Sequence, residues 1–242
     1  MQATNATPKF AIKLSDLEKR YLGPQGGFLA LSGINYQFEY GEMVAVTGKS
    51  GSGKSTMLNL LTGIDHPSAG SIEIQDQRIN QMNERDLARW RGKTIGIVFQ
   101  FFQLMPSLSI AENVMLPMDF CEVHPRRERR DIALRLLDQM GIADQADKYP
   151  SALSGGQQQR AAIARSLAND PPIICADEPT GNLDSQTGGR ILEIFQNMAK
   201  LGKTVILVSH QSDIESLADR SIRLVDGKIL TAQTAAVVGG QP

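Results

Sequence analysis

Short apolar runs alternate with helical patterns along most of the chain. Four runs have the length and the β-branched content of buried parallel strands, at residues 43–46, 95–99, 173–176 and 204–209. Apolar side chains recur at helical spacing in residues 56–61, 157–168 and 189–201. Because alternating strands and helices build a parallel sheet with helices on its faces, we expect an α/β fold with a mostly parallel sheet.

The beginning and the end of the chain favour antiparallel β-structure instead. Residues 10–14 and 71–74 alternate between apolar and polar side chains, as half-buried strands do. Residues 222–230 are typical of a hairpin whose turn is Asp226-Gly227. We therefore expect an N-terminal antiparallel β subdomain and a closing hairpin.

A helical region separates two of the apolar runs. Residues 107–151 carry an apolar face that includes Leu134, Leu137 and Met140, and Gly141 follows where a helix typically ends. We expect an inserted α-helical subdomain at about residues 101–160.

The chain has 242 residues, which is near the upper end for one domain. We expect a single domain over residues 10–230, with a flexible N-terminus at residues 1–9 and a flexible tail at residues 231–242.

Charge and composition exclude several classes of partner. The formal net charge is −1 and the isoelectric point is near 6.3, so no bulk positive field favours nucleic acid or an anionic membrane. Cys121 and Cys175 lie far apart and lack metal-ligand spacing, which indicates reduced thiols, and Cys175 fits a core position. No signal peptide and no apolar run of about 20 residues occurs, so we expect a cytoplasmic protein.

A phosphate-binding pattern, GxxxxGK[ST], lies between the first apolar run and the helix after it. Its residues are Gly48, Lys49, Ser50, Gly51, Ser52, Gly53, Lys54 and Ser55, with Thr56 following. Glycines let backbone N–H groups turn towards phosphate oxygens, and the helix N-terminus adds partial positive charge. Lys54 is expected to reach the β- and γ-phosphates, and the Ser55 hydroxyl to bind Mg²⁺. A flexible glycine- and serine-rich loop is the alternative that this motif alone leaves open.

The apolar run at residues 173–176 ends in two adjacent acids, Asp177 and Glu178. In parallel sheets the ligand crevice lies at the C-terminal ends of the strands, so Asp177 is expected to hold Mg²⁺, through water, near Lys54. Glu178 would then lie near the γ-phosphate and act as the general base that orients water. The alternative is a helix N-cap or a solvated acidic turn.

A second anion-binding pattern begins the helix after the helical region. Ser154, Gly155, Gly156 and Gln157 follow Leu153, and together they offer backbone N–H groups, a hydroxyl and a helix dipole. A capped helix after a turn is the structural alternative. With the phosphate loop and the Asp-Glu strand end in that order, this Leu-Ser-Gly-Gly-Gln sequence resembles the signature of the ATP-binding cassette ATPases, over nearly the whole chain. The resemblance implies a P-loop NTPase (RecA-like) core that binds ATP and Mg²⁺.

The resemblance also assigns roles to four further residues. Tyr21 corresponds to an aromatic residue that stacks on adenine, although a surface or core tyrosine is the alternative. Gln100 corresponds to a glutamine that contacts Mg²⁺ and the attacking water. Asp184 lies in a segment that corresponds to the family's loop linking two active sites across a dimer. His210 corresponds to a histidine that contacts the γ-phosphate and fixes base and water, so it joins Glu178, Lys54 and Gln100 as a candidate catalytic residue.

The resemblance further implies two partners. The first partner is a second copy of the chain, which packs head to tail so that the signature of one chain closes over ATP held by the other. The second partner is an integral membrane permease, which is moved as ATP binding and hydrolysis close and open this dimer. Residues 101–108 are rich in apolar side chains and suit a groove for that permease, although burial within the helical subdomain is equally compatible. The chain would then lie peripherally on the cytoplasmic face of the inner membrane.

The sequence looks like the branch that serves lipoprotein release, macrolide or peptide export and cell division. Lys49 and Gly181-Asn182 depart from the commonest family sequence, but neither change removes a catalytic group. The basic run at residues 126–130 could contact anionic lipids or acidic loops, or be a solvated helix face. Two alternative functions stay open: a regulatory subunit of a cell-division-type permease, and a soluble cassette ATPase without a transport role.

Overall fold

The computed structural model describes residues 10–23, 27–210 and 212–234, without the side chains of residues 212, 213 and 231–234. In chain order the strands are β1 (Ile12–Tyr21), β2 (Phe28–Phe38), β3 (Met43–Thr47), β4 (Ala69–Ile74), β5 (Gln77–Arg78), β6 (Ile95–Val98), β7 (Ile173–Asp177), β8 (Thr204–Ser209), β9 (Arg220–Val225) and β10 (Lys228–Thr234). The α-helices are α1 (Lys54–Leu61), α2 (Glu84–Thr94), α3 (Ile110–Cys121), α4 (Arg126–Gln139), α5 (Gly155–Ser166) and α6 (Ser185–Lys200).

The larger sheet has six strands in the order β10-β9-β3-β8-β7-β6. All neighbouring pairs are parallel except β10 with β9, which form the predicted hairpin. Strands β3 and β8 are fully buried, which explains their continuous apolar sequence. Thr47 pairs with Ser209 and Asp177 with Val208, so the C-terminal ends of β3, β7 and β8 meet at one edge. The predicted parallel sheet is confirmed.

The smaller sheet is antiparallel and has the order β2-β1-β4-β5, as predicted for the N-terminal part. Helix α1 contacts β2 of this sheet and both β7 and β8 of the larger one. Buried side chains of α1, including Met57, Leu58 and Leu61, belong to the core cluster that the two sheets share. The loop before α1 is therefore held between the sheets.

Helices α3, α4 and α5 pack against one another in the region predicted to be helical. Their buried face includes Val114, Leu137 and Ala161, and a capping box between Ser109 and Glu112 begins α3. Helix α5 also contacts β6 of the larger sheet. The bounds of a helical subdomain at residues 101–160 and of a single domain at residues 10–230 stay predictions.

Several element boundaries differ from the predictions. Helix α1 begins at Lys54, two residues before the predicted start, and α6 begins at Ser185 because Asp184 caps it. Strand β10 continues to Thr234, past the predicted start of the tail at residue 231, because these residues pair with β9. The proposed flexible N-terminus and residues 235–242 lie outside the described residues.

Two further sequence-based expectations concern membranes and cysteines. Within the described ranges, no helix is both long and apolar enough to cross a bilayer. Cys175 is fully buried in β7, which confirms its predicted place in the core.

Candidate nucleotide-binding site

The loop between β3 and α1 has a backbone that only glycine allows at two positions. Gly48 has φ +150°, and a Cβ there would clash with the carbonyl oxygen of Leu224 and lie 2.6 Å from Ser52 Oγ. Gly53 has φ +103°, and a Cβ there would lie 2.6 Å from the Ala30 carbonyl oxygen. Gly53 is also the N-cap of α1 and provides no side-chain cap. Because the N-cap of α1 offers no side-chain acceptor, the first N–H groups of the helix suit an anion.

Lys54 lies at the start of α1 and its side chain is buried. Its ammonium donates to the carbonyl oxygens of Gly48, at 2.8 Å, and Lys49, at 3.0 Å. The loop therefore folds around a fixed positive charge, which suits a phosphate group. Lys49 itself is exposed, whereas Ser52 is buried and its Oγ has no hydrogen-bond partner among the described residues.

A cavity of about 390 Å³ opens beside this loop. It brings together the four candidate catalytic residues, which come from four separate parts of the sequence. The lining residues are Phe28, Ala30, Ser50, Gly51, Gly53, Lys54, Ser55, Thr56, Gln100, Glu178 and His210. Phe28 and Ala30 were missed by the sequence analysis. The available signal for Phe28 was an aromatic residue beside a glycine-rich turn.

Glu178 follows β7 in a left-handed backbone conformation, with φ +46°, that is rare for a residue with a Cβ. Its N–H donates to the Val208 carbonyl oxygen at 2.8 Å. Its Oε1 lies 2.9 Å from His210 Nδ1, and its Oε2 accepts from Ser209 Oγ at 3.1 Å. The end of β8 thus holds both the backbone and the carboxylate of Glu178. Ser209 was not a predicted site residue.

Asp177 is the last residue of β7, and its Oδ1 is buried without a hydrogen-bond partner among the described residues. Burial raises the pKa of Asp177, as does the charge of Glu178, whereas a hydrogen bond with Ser55 and the charge of Lys54 lower it. An unpaired buried carboxylate oxygen is costly unless a cation or a donor approaches it. Asp177 therefore fits a metal ligand.

The residues around Asp177 fit magnesium. Ser55 lies close enough to Asp177 to lower the pKa of its carboxyl, and Gln100 lines the same cavity as Ser55. These are oxygen donors of the kind that Mg²⁺ prefers. No cluster of three His, Cys, Asp or Glu side chains occurs within the part of the chain that the structure describes. The protein would supply few ligands here, which agrees with the tendency of Mg²⁺ to keep water and phosphate ligands.

The signature residues lie outside this cavity. Ser154 caps α5 through a reciprocal pair of bonds: its Oγ accepts from Gln157 N at 3.3 Å, and its N–H donates to Gln157 Oε1 at 2.9 Å. A Cβ on Gly156 would lie 2.7 Å from Thr187 Cγ2 of α6. Ser154 and Gly155 are exposed. The second candidate anion-binding element of the chain therefore does not share the cavity of the first.

Asp184 is the exposed N-cap of α6 and does not line the cavity. Its carboxylate accepts from Thr187 N at 3.0 Å, and this bond lowers the pKa of Asp184. In the same loop, Asn182 Nδ2 donates to the Gln100 carbonyl oxygen at 3.2 Å. The sequence pattern does not predict this link between Gln100 and the loop that carries Asp184.

Tyr21 ends β1 and pairs with Phe28 across the sheet. Its hydroxyl donates to Asp65 Oδ2 at 2.9 Å, and Lys19 Nζ lies 4.8 Å from the ring centroid. Tyr21 does not line the cavity, whereas Phe28 does. Stacking of Tyr21 on a base therefore stays a prediction.

Comparison with known proteins agrees with this geometry. The family model described as ABC transporter matches residues 31–181. An uncharacterized ABC transporter ATP-binding protein of Thermotoga maritima is 43% identical over 96% of this chain and 99% of the relative. The macrolide export ATP-binding/permease protein MacB of Burkholderia thailandensis is 40% identical over 90% of this chain, which spans 33% of that longer protein.

A solved structure of a similar chain shows the same fold. It is the dimeric post-hydrolysis state of the ATP-binding cassette MJ0796 bound to ADP and Pi, with a TM-score of 0.87 and 40% identity. The match covers 93% of this chain and 99% of that one. The α/β P-loop fold with its antiparallel N-terminal sheet is thereby confirmed. The chain belongs to the ABC transporter family and is an ATP-binding cassette of the ATP-hydrolysing kind.

Proposed function

We propose that two copies of this chain pack head to tail, clasp two ATP molecules and hydrolyse them to drive a membrane permease. The observation that carries this proposal is the separation of the two anion-binding elements in one chain. Lys54 and its loop line the cavity, whereas Ser154 and Gly155 are exposed on α5 and do not. One nucleotide held by Lys54 can meet a signature only if a second chain provides it. The dimeric state of the MJ0796 cassette supports this arrangement.

Each catalytic residue would perform one physical task. Lys54 places a positive charge at the phosphates, and the N-terminus of α1 adds partial positive charge. Glu178 accepts a hydrogen bond from the attacking water and orients it. Ser209 and His210 hold the two oxygens of Glu178, so the base is fixed before water arrives.

Magnesium would be held by Ser55, Gln100 and Asp177. When bound, Mg²⁺ neutralises charge that develops on the phosphate oxygens. A bound Mg²⁺ would be a partner for the buried Oδ1 of Asp177. Gln100 lines the same cavity as Glu178.

A mixing experiment tests the shared site. Lys54→Ala disables the phosphate loop, and Ser154→Arg blocks the signature, so each homodimer should be inactive. In a mixed dimer, the intact loop of the Ser154→Arg chain faces the intact signature of the Lys54→Ala chain. ATP hydrolysis should therefore reappear when the two inactive proteins are mixed. Absence of hydrolysis in the mixture, with mixed dimers demonstrated by differential tagging, would contradict the proposal.

The permease would dock in an apolar groove of about 820 Å³, here named the α2–α3 groove and defined by Arg89, Ile97, Leu116, Pro117, Phe120 and Cys121. The groove reaches Gln103, in the segment predicted to meet the permease. Phe120 is 81% exposed and Phe101, in the same segment, is 71% exposed. Large exposed apolar side chains around a groove are typical of a protein interface.

The MacB relative, named for macrolide export and for a permease, supports the export branch. The cargo would then be a lipoprotein, a peptide or a hydrophobic small molecule that the permease extracts or exports. The chain would then lie on the cytoplasmic face of the inner membrane, attached to it through that permease.

Substitutions in the groove test the docking surface. Phe120→Asp should abolish cosedimentation of the chain with membranes that contain a co-expressed permease encoded beside it, because a carboxylate would be buried at the interface. Hydrolysis by the chain alone should persist. Leu201→Asp is the matched control, since Leu201 is 84% exposed and does not line the groove. Equal cosedimentation of both variants would contradict docking at this surface.

A further inference from the structure

Arg165 lies in the last turn of the helix that begins with the signature. Its Nη2 donates to the Phe102 carbonyl oxygen at 2.6 Å, and its Nη1 donates to the Gln103 carbonyl oxygen at 2.5 Å. The two acceptors lie two and three residues after Gln100. One guanidinium thus connects α5 to the segment that carries Gln100.

The backbone that Arg165 holds is strained. Phe102 has φ +58° and Gln103 has φ +49°, so two consecutive residues with a Cβ adopt the left-handed conformation. Such residues persist only where surrounding contacts hold them. A planar guanidinium that donates to two successive carbonyl oxygens is a rigid restraint of this kind.

The same segment also lies near the signature. The Phe102 ring lies 3.9 Å from the position of a Cβ on Gly155, in the first turn of α5, and Leu183 lies at the same distance. Asn182, next to Leu183, donates to the Gln100 carbonyl oxygen. Helix α5 is therefore bonded to the segment after Gln100 at its C-terminal end and lies near it at its N-terminal end.

The guanidinium of Arg165 has no carboxylate partner among the residues that the structure describes. Burial lowers the pKa of this group. Arg165 also lines the α2–α3 groove with Arg85, Arg89 and Arg91, and no Asp or Glu occurs among the described residues that line it. A half-buried, unpaired cation is costly to stability, so contact strength alone is a poor explanation for it.

We infer that Arg165 is a positioning residue for hydrolysis, which fixes the Gln100 segment to the signature helix and connects both to the α2–α3 groove. Arg165 does not line the nucleotide cavity, so its role would be exerted through the Gln100 segment. It sets where the Gln100 side chain lies relative to Asp177 and Glu178, and anything that fills the groove contacts the same guanidinium. The inference rests on the role of Gln100 under the proposed function.

Arg165→Gln tests this inference through kinetics and hydrogen exchange on the full chain. We expect kcat for ATP hydrolysis to fall about tenfold or more, since small misplacements near the reacting groups are costly. The KM for ATP should change less than about twofold, because no contact to the nucleotide is lost. Amide exchange of residues 101–104 should accelerate, while exchange in the middle of α5 stays as in the wild type. Arg165→Lys should restore part of kcat, because one ammonium can still donate to one carbonyl oxygen.

Two control variants separate the possible outcomes. Arg129→Gln removes a buried guanidinium of α4 that donates to the His124 carbonyl oxygen and to the Asp119 carboxylate. This variant should lower stability without changing kcat. Gln100→Ala should itself lower kcat, and a normal rate for that variant would remove the assumed role of Gln100. If Gln100→Ala is slow but Arg165→Gln keeps the wild-type kcat and wild-type exchange at residues 101–104, Arg165 is not a positioning residue. Faster exchange throughout α5 would also overturn the inference, because it would indicate a purely structural role.

Discussion

At the residue scale, the nucleotide-binding site depends on two acidic residues, Asp177 and Glu178, whose surroundings differ sharply from those of an acid in water. Asp177 has a buried oxygen without a partner in the described part of the chain, and Glu178 has a left-handed backbone held by β8. The sequence showed that both acids end a buried strand, because apolar runs predict such strands. It could not show the left-handed backbone of Glu178 or its bond with Ser209, since these depend on the register between β7 and β8.

The reactivity of the two cysteine thiols tests the burial of Cys175. Cys175 is fully buried, and burial raises its pKa to about 12, so its thiolate is scarce at pH 8. We expect the native chain to release one equivalent in a thiol titration, from the partly exposed Cys121, and two equivalents in denaturant. Cys121→Ser should leave no reactive thiol in the native state. Reaction of Cys175 in the native chain at the rate of Cys121 would contradict its place in β7.

At the element scale, the parallel strands were predictable and one helix was not. The strands β3, β7 and β8 are buried on both faces, so their sequences are continuously apolar. Helix α2 was missed because only Leu87, Trp90 and Thr94 of its residues are buried. The available signal was Asn83, whose side chain caps the helix at Asp86 N.

Two glycines test how closely the elements pack. Gly96 in β6 has no room for a Cβ, which would clash with the Ser166 carbonyl oxygen of α5, so Gly96→Ala should lower the free energy of unfolding by about 1–3 kcal/mol. Gly189 in α6 has open space around it, so Gly189→Ala should raise this free energy by about 0.5–1 kcal/mol. Urea unfolding measures both. Equal effects of the two substitutions would contradict the close approach of α5 to β6.

At the scale of the whole molecule, one chain holds two candidate anion-binding elements that do not share a cavity. The cavity with Lys54 and Glu178 and the signature with Ser154 were each visible in the sequence as motifs. Their separation in one chain was not, because it depends on how α5 packs between the larger sheet and helices α3 and α4. The α2–α3 groove and the Arg165 contacts were also invisible, since they join residues far apart along the chain.

The central claim is that ATP is shared between two chains and that Glu178 is needed to release them. The most direct measurement is the mass of Glu178→Gln in solution, by light scattering, with saturating ATP and Mg²⁺ and without nucleotide. The amide cannot act as a base but keeps the size of the side chain, so ATP should stay uncleaved between two chains. Adding Ser154→Arg to this variant should keep it monomeric with ATP bound to its phosphate loop.

We expect twice the mass of a single chain for Glu178→Gln with ATP and Mg²⁺, and the mass of one chain when nucleotide is omitted. A single-chain mass at saturating ATP, with nucleotide binding demonstrated in the same sample, would contradict the central claim.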